Sequence, residues 1–178
     1  MSAKAHLIRP ALPSDAAGIS ELLHGIGWFK AYEGRSIAQN TAAIKELLLG
    51  AQASAQVSTQ ASTQAQPERS LLLVAEDAQQ RISGYCAVHW LPVAVLQSWE
   101  AYVSELFIAE QARGAGLGQQ LLDVAVQAAR EKSCVRIWLV NNRERPSYTR
   151  GFYSQQGWAE QAEMARFVLP LRTNNHSS

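Results

Sequence analysis

The chain has 178 residues, 47% of them hydrophobic, and a formal net charge of +1. That is the size of one domain with enough apolar material for a full core. The near-neutral balance excludes broad attraction to nucleic acid or anionic lipid, although a local basic pocket stays open. There is no apolar run long enough to span a membrane, and the start, Met1 to His6, lacks the apolar segment of a signal peptide.

His6-Leu7-Ile8-Arg9 reads as a short strand stopped by Pro10 and Pro13. Ser14 or Asp15 is expected to cap a helix to about His24, with Ile19, Leu22 and Leu23 on its apolar side. Gly25 to Gly34 is a glycine-punctuated loop carrying Trp28, Phe29 and Tyr32. Thr41 to Leu49 is a second helix, ended by Gly50. Residues 51–67 are a low-complexity insertion of Ala, Gln, Ser and Thr with one Val57, either disordered or a frayed extension of the helix before it. Ser70 to Ala75 and Ile82 to Trp90 form a hairpin, and Pro92 is expected to break the second strand. Trp99 to Ile108 is a third long strand.

A glycine-rich loop, Arg113 to Gly118, then opens a helix to Lys132, in which Leu117, Leu121, Ala125 and Ala128 recur at helical spacing. Cys134 to Val140 is almost continuously apolar, as expected of a central strand parallel to its predecessor across a helix. Ser147 to Gln155 reads as a helix stopped near Gly157. Trp158 to Gln161 and Ala162 to Leu169 read as a last pair of strands, and residues 173–178 as a polar tail. The order β-α-α-β-β-β-α-β-α-β-β predicts one α/β domain over residues 1–178, a mixed sheet of about seven strands flanked by about four helices. Cys86 and Cys134, the only cysteines, sit inside strand-like runs and read as buried free thiols, which fits a reducing cytoplasm.

Glycines at the start of a helix let bare backbone N–H groups and the helix dipole meet an anion. Arg-x-x-Gly-x-Gly is weak by itself, since chance gives it in roughly one chain in twenty-five of this length. Two known phosphate loops fail here. A P-loop needs a Lys after its last glycine, and none follows Gly118. A dinucleotide loop needs Gly-x-Gly-x-x-Gly, and Gly114-Ala115-Gly116-Leu117-Gly118 has the wrong final spacing.

Three stretches resemble the GNAT superfamily of N-acetyltransferases. Glu105-Leu106-Phe107-Ile108, a short gap, then Arg113 to Leu122 is similar to its motif A. Gly151-Phe152-Tyr153-Ser154-Gln155-Gln156-Gly157-Trp158 is similar to its motif B, usually Phe-Tyr-x-x-x-Gly-Phe, and Leu7 to Ala16 resembles a common opening of the family. The resemblance covers essentially the whole chain. It implies that acetyl-CoA lies between two splayed parallel strands. Leu106, Phe107 and Ile108 would pair with the pantetheine arm. Arg113, Gly114, Ala115, Gly116, Leu117, Gly118 and Gln119 would wrap the pyrophosphate.

Tyr153 would be the general acid and Glu105 the base. Glu100 is the competitor for the base, and an odd separation puts it on the opposite face from Glu105 unless a bulge intervenes. Tyr148 competes with Tyr153 but falls outside the motif register. One departure concerns an asparagine that many relatives carry seven residues before the tyrosine. Pro146 stands there, and Asn141 or Asn142 would substitute, with Asn142 taken as the cofactor contact. His89 reads as a satisfied strand histidine. The implied reaction is direct attack of a primary amine, from a small molecule or a protein, on acetyl-CoA as co-substrate, with no metal. The alternative is a non-catalytic acetyl-CoA-binding regulatory module. The implied setting is cytoplasmic, with no nucleic-acid or membrane partner and a homodimer allowed. Trp28, Phe29, Tyr32, Trp90 and Trp99 suggest an aromatic-walled acceptor pocket without choosing among polyamine, amino acid, aminoglycoside and protein amines.

Overall fold

A computed structural model describes residues 6–57 and 69–171. The polar tail and most of the low-complexity insertion lie outside the described residues. The chain divides into two compact units, Met1–Val140 and Asn141–Ser178.

The first unit is a mixed five-stranded sheet with helices on both faces. Strands β1 (Leu7–Pro10), β2 (Ser70–Glu76), β3 (Ile82–Val93), β4 (Ser98–Ile108) and β5 (Cys134–Leu139) follow in spatial order. The first three pairings are antiparallel and β4 pairs with β5 in parallel. A parallel return needs a crossover, which helix α4 (Leu117–Glu131) supplies. Pro92 does not break β3. It sits opposite Trp99 near the strand's end, where the lost N–H costs least.

Helices α1 (Ala16–Ile26), α2 (Lys30–Glu33) and α3 (Ile37–Val57) fill the gap between β1 and β2. Asp15 does not cap α1 with its side chain. It turns back to accept from the Leu12 backbone N–H at 2.7 Å and from Arg9 at 2.7 and 2.9 Å, and Arg9 also grips Glu76. That ion cluster ties β1, β2 and the start of α1. Helix α1 ends at Gly27, whose φ of +65° only glycine adopts cheaply. Helix α3 starts before the expected Thr41, because Ser36 and Gln39 form a reciprocal cap, at 3.2 Å from the Gln39 N–H to the Ser36 hydroxyl and 3.0 Å in return. It also runs on past Gly50. One helical glycine costs only about 1 kcal/mol, and the Ala- and Gln-rich run beyond it favours helix.

Gly18 of α1 lies against Ile82, so α1 covers one sheet face. Gly84 lies against Leu121, so α4 covers the other. From Gly84, strand alternation carries Cys86, Val88 and Trp90, with their partners Leu106, Val103 and Ala101, onto the α4 face. There Leu117, Leu121, Leu122 and Ala125 complete a buried core. Cys86 and Cys134 are free thiols, the first fully buried and the second partly so. Strand β5 is not central among the described strands but last in the order. Arg136 interrupts its apolar run and Val135 is 55% exposed.

The second unit corrects the C-terminal expectations. The predicted helix Ser147–Gln155 is a single turn, α5 (Pro146–Thr149), followed by turns and a 3-10 turn at Ser154–Gln156. Gly151, with φ +68°, breaks it. The predicted strands Trp158–Gln161 and Ala162–Leu169 are absent among the described residues, so the strand count is five and not about seven. Every residue from Ala159 to Leu171 is exposed, and a two-stranded ribbon with no buried face is marginal alone.

Candidate active site

The residues of interest gather where β4 parts from β5. Their pairing ends at Val103 with Leu139, while β4 continues to Ile108 paired with β3 alone. At the parting point β4 carries a bulge. Val103 faces Val88 and Glu105 faces Ala87, so Ser104 is the extra residue. The bulge shifts the alternation by one, and Glu100 and Glu105 come to lie on the same face, toward α1.

The two carboxylates have different surroundings. Glu105 is half-buried and accepts from the Tyr85 hydroxyl, and its charge is felt by Tyr32 of α2. Burial pushes its pKa up, and the Tyr85 hydrogen bond offsets part of that rise. Glu100 is 5% exposed. It accepts from Trp138 Nε1 at 3.0 Å and pairs with Arg136 at 2.5 Å. Between them Tyr102 stacks on Trp138 with ring centroids 4.3 Å apart. His89 stands beside Tyr102, with Nδ1 at 2.8 Å from the Ser70 hydroxyl and Nε2 at 2.8 Å from the Ser104 hydroxyl. Burial lowers the His89 pKa, which favours the neutral ring.

Phe107 faces the same side and meets Phe29 and Trp28 edge-on, at 5.6 and 6.3 Å between centroids. The buried carboxamide of Asn40 fixes that corner, donating to the Tyr32 carbonyl at 2.9 Å and meeting His24 at 3.1 Å. Trp28 and Phe29 remain 40% and 43% exposed, whereas Trp90 is core on the other face.

Beyond Ile108 a short 3-10 turn (Glu110–Ala112) leads into the glycine loop. Gly114 and Gly116 have φ of +80° and +77°, and Gly116 is the N-cap of α4. Arg113, Gly114, Ala115, Gly116 and Gln119 are exposed, Gly118 is half-buried, and Leu117 is buried beneath the helix. Arg113 is tied back to β4, with Nε donating to the Ile108 carbonyl at 3.2 Å. The first amides of a helix have no partner within it.

In the second unit Tyr153 is half-buried, with Phe152 and Trp158 edge-on at 4.9 and 6.2 Å. Gly157, φ +81°, turns the chain so that the Trp158 N–H returns to the Tyr153 carbonyl at 3.2 Å. The Tyr148 hydroxyl is engaged by Glu160 at 2.8 Å, and Glu160 also pairs with Arg143. Asn142 folds its side chain onto its own loop, accepting from the Glu144 N–H at 2.8 Å. Asn141 accepts from Ser147 at 3.2 Å, and its buried Nδ2 has no hydrogen-bond partner.

A model of the acetyltransferase (GNAT) family matches residues 37–158. The chain belongs to the GNAT acetyltransferase family. Among solved structures, a transcriptional regulator from Bacillus halodurans C-125 is 23% identical, with TM-score 0.68 over 93% of this chain and 100% of that one. The ribosomal-protein-alanine N-acetyltransferase of Brucella melitensis biovar Abortus 2308 is 22% identical, with TM-score 0.64 over 93% and 99%. An aminoglycoside acetyltransferase from an uncultured soil metagenomic sample, solved with sisomicin, is 15% identical, with TM-score 0.67 over 94% and 97%. At these identities the likeness is one of fold. No curated protein matches the chain.

Sequence reading of this GNAT chain placed Glu105, the β4 segment and the glycine loop consecutively, and the first unit keeps them consecutive. It did not find Ser70, Tyr85, Ser104, Tyr102 or Trp138. The bulge that assembles them on one face has no residue signature, because Ser104 is neither a glycine nor in a left-handed conformation.

Proposed function

We propose that the chain, acting as one domain, transfers an acetyl group from acetyl-CoA to a primary amine by direct attack. The observation that carries this reading is the run of β4 past the end of β5, leading through a short 3-10 turn into a helix whose N-cap loop holds two left-handed glycines. A strand with one free edge can take an extended ligand as a further strand. Leu106, Phe107 and Ile108 would bind the pantetheine arm, and the amides from Arg113 to Gln119 the pyrophosphate.

Glu105 takes a proton from the acceptor's ammonium, and the neutral amine then attacks the thioester carbonyl, whose carbon–sulfur bond breaks to release CoA. A carboxylate with a raised pKa is a better base toward an amine than a solvated one. The oxyanion is held by a strand amide near Phe107 or Ile108, and Tyr153 returns a proton to the departing thiolate. Asn141 or Asn142 supplies the carboxamide contact, and the Asn141 Nδ2 is buried without a hydrogen-bond partner. The acceptor lies against Trp28, Phe29 and Tyr102, which suits an amine with an apolar or cationic body. A cytoplasmic setting fits the two free thiols.

The test is thiol release from acetyl-CoA on a panel of polyamine, amino-acid, aminoglycoside and peptide amines, with the parent chain and Tyr153→Phe. Release by the parent that falls about 10²-fold or more in the variant supports the assignment. A melting temperature raised by acetyl-CoA with no release on any amine would make the chain a binding module. No thermal shift at all would sink the reading of the loop.

A further inference from the structure

The Ser70–His89–Ser104 chain has no role in direct transfer. Both ring nitrogens of His89 are 2.8 Å from a serine hydroxyl. Ser70 lies at the start of β2 and is half-buried, whereas Ser104 is exposed. Ser104 is also the residue that the bulge adds to β4, one position beyond the last β4–β5 pair. With its proton on Nδ1, the imidazole donates to Ser70 and accepts from Ser104 through Nε2. That is the order of nucleophile, base and orienting group in which a histidine activates a hydroxyl. The hydroxyl then stands beside Glu105, at the head of the edge assigned to the pantetheine.

We infer that Ser104 is a nucleophile that accepts the acetyl group itself when no amine is present, giving the enzyme a slow thioester hydrolase activity. The inference rests on the acetyl-CoA reading for its donor. In the first step Ser104 Oγ bonds to the acetyl carbonyl carbon and its proton passes to His89 Nε2. The carbon–sulfur bond breaks, and the thiolate leaves with the proton that His89 took. In the second step water attacks the serine ester, His89 takes the water's proton, and the Oγ–carbon bond breaks to return the hydroxyl. The sum is acetyl-CoA and water giving acetate and CoA, with no oxidant, reductant or metal. Burial of His89 supports it, because a neutral imidazole is required in both steps.

The experiment uses the full chain and no amine. It is incubated with acetyl-CoA and, separately, with p-nitrophenyl acetate, and read by thiol or nitrophenolate release and by peptide mass mapping. The expected result is hydrolysis of both esters with one acetyl group on Ser104. Release should fall about 10²-fold in Ser104→Ala and His89→Gln, while Ser104→Cys still acquires the acetyl group. Melting curves check that each variant folds. Labelling of Ser104 by p-nitrophenyl acetate but not by acetyl-CoA supports the nucleophile and counts against the donor. Hydrolysis unchanged in both variants, or an acetyl group found only on lysine or cysteine, overturns the inference.

Discussion

Strands β3 and β4 present two unlike faces. Toward α4, Gly84, Cys86, Val88, Ala101 and Val103 meet Leu121, Leu122 and Ala125, all of them buried. Toward α1, Tyr85, His89, Glu100, Tyr102 and Glu105 carry hydroxyls, an imidazole and two carboxylates. Both faces belong to the same backbone. The first is held by close contact, down to the 2.9 Å that separates Leu121 Cδ1 from the place a Gly84 side chain would occupy. The second is held by hydrogen bonds and can stay partly open to a ligand. One extra residue at Ser104 separates the two arrangements, and without it Glu105 would point into the α4 core.

The largest break in this contrast is expected at Glu105. Glu105→Gln should lower the turnover of the best amine by roughly 10²–10⁴-fold while leaving the thermal shift on acetyl-CoA in place. The pH profile carries a sign. The base must be ionised, so the rate falls as pH drops through a pKa that burial has raised above the usual carboxylate range. The Tyr85 hydrogen bond lowers that pKa, so Tyr85→Phe should move the acid limb to higher pH. A limb that stays in place would disconnect Glu105 from the rate.

The opposite face breaks by packing. Leu121 is 0% exposed, and Leu121→Ala should destabilise the fold by about 2–5 kcal/mol. For a chain of this length that lowers the melting temperature by roughly 4–20 °C. A fall below that range would mean that α4 closes over the gap.

Much of this was legible because the signals are local. The core stripe of α4 follows from the spacing of Leu117, Leu121 and Ala125. The β4-to-loop passage follows from a glycine run after an apolar strand. The start of α3 was also legible, since Ser36 and Gln39 have capping-box spacing, but the apolar period begins later and drew the boundary to Thr41. Non-local features were hidden. Nothing near Ser104 announces a bulge that depends on its register with Ala87 and Val88 across a hairpin. The largely apolar stretch from Ala162 to Leu169 reads as a strand. Strands also need a partner and a face to bury, and local pattern supplies neither.

A smaller effect belongs to the ion cluster that closes the α1 side. Arg9 bonds to Asp15 hold the Asp15 carboxyl below the usual range, with burial opposing them. A depressed folded pKa stabilises the fold above the unfolded value near about 3.9, and that contribution is lost as pH falls through the folded value. Asp15→Asn should cost about 1.5–3 kcal/mol at neutral pH. It should also flatten the decline of melting temperature in acid, and an unchanged acid slope would assign that decline to other carboxylates.

The smallest effects separate conformation from contact. Gly25 in α1 and Gly114 in the loop both have open space where a Cβ would stand. They differ in backbone, since Gly25 is helical and Gly114 has φ +80°. Gly25→Ala therefore loses nothing in the fold and reduces the freedom of the unfolded chain, a gain of about 0.4–1 kcal/mol. Gly114→Ala must hold an L side chain in the left-handed region, a loss of about 1–2 kcal/mol. Thermal melts of the two variants should move in opposite directions. If Gly114→Ala melts no lower than the parent, the loop has relaxed to negative φ. The shape assigned to the pyrophosphate would then be one the free chain does not require.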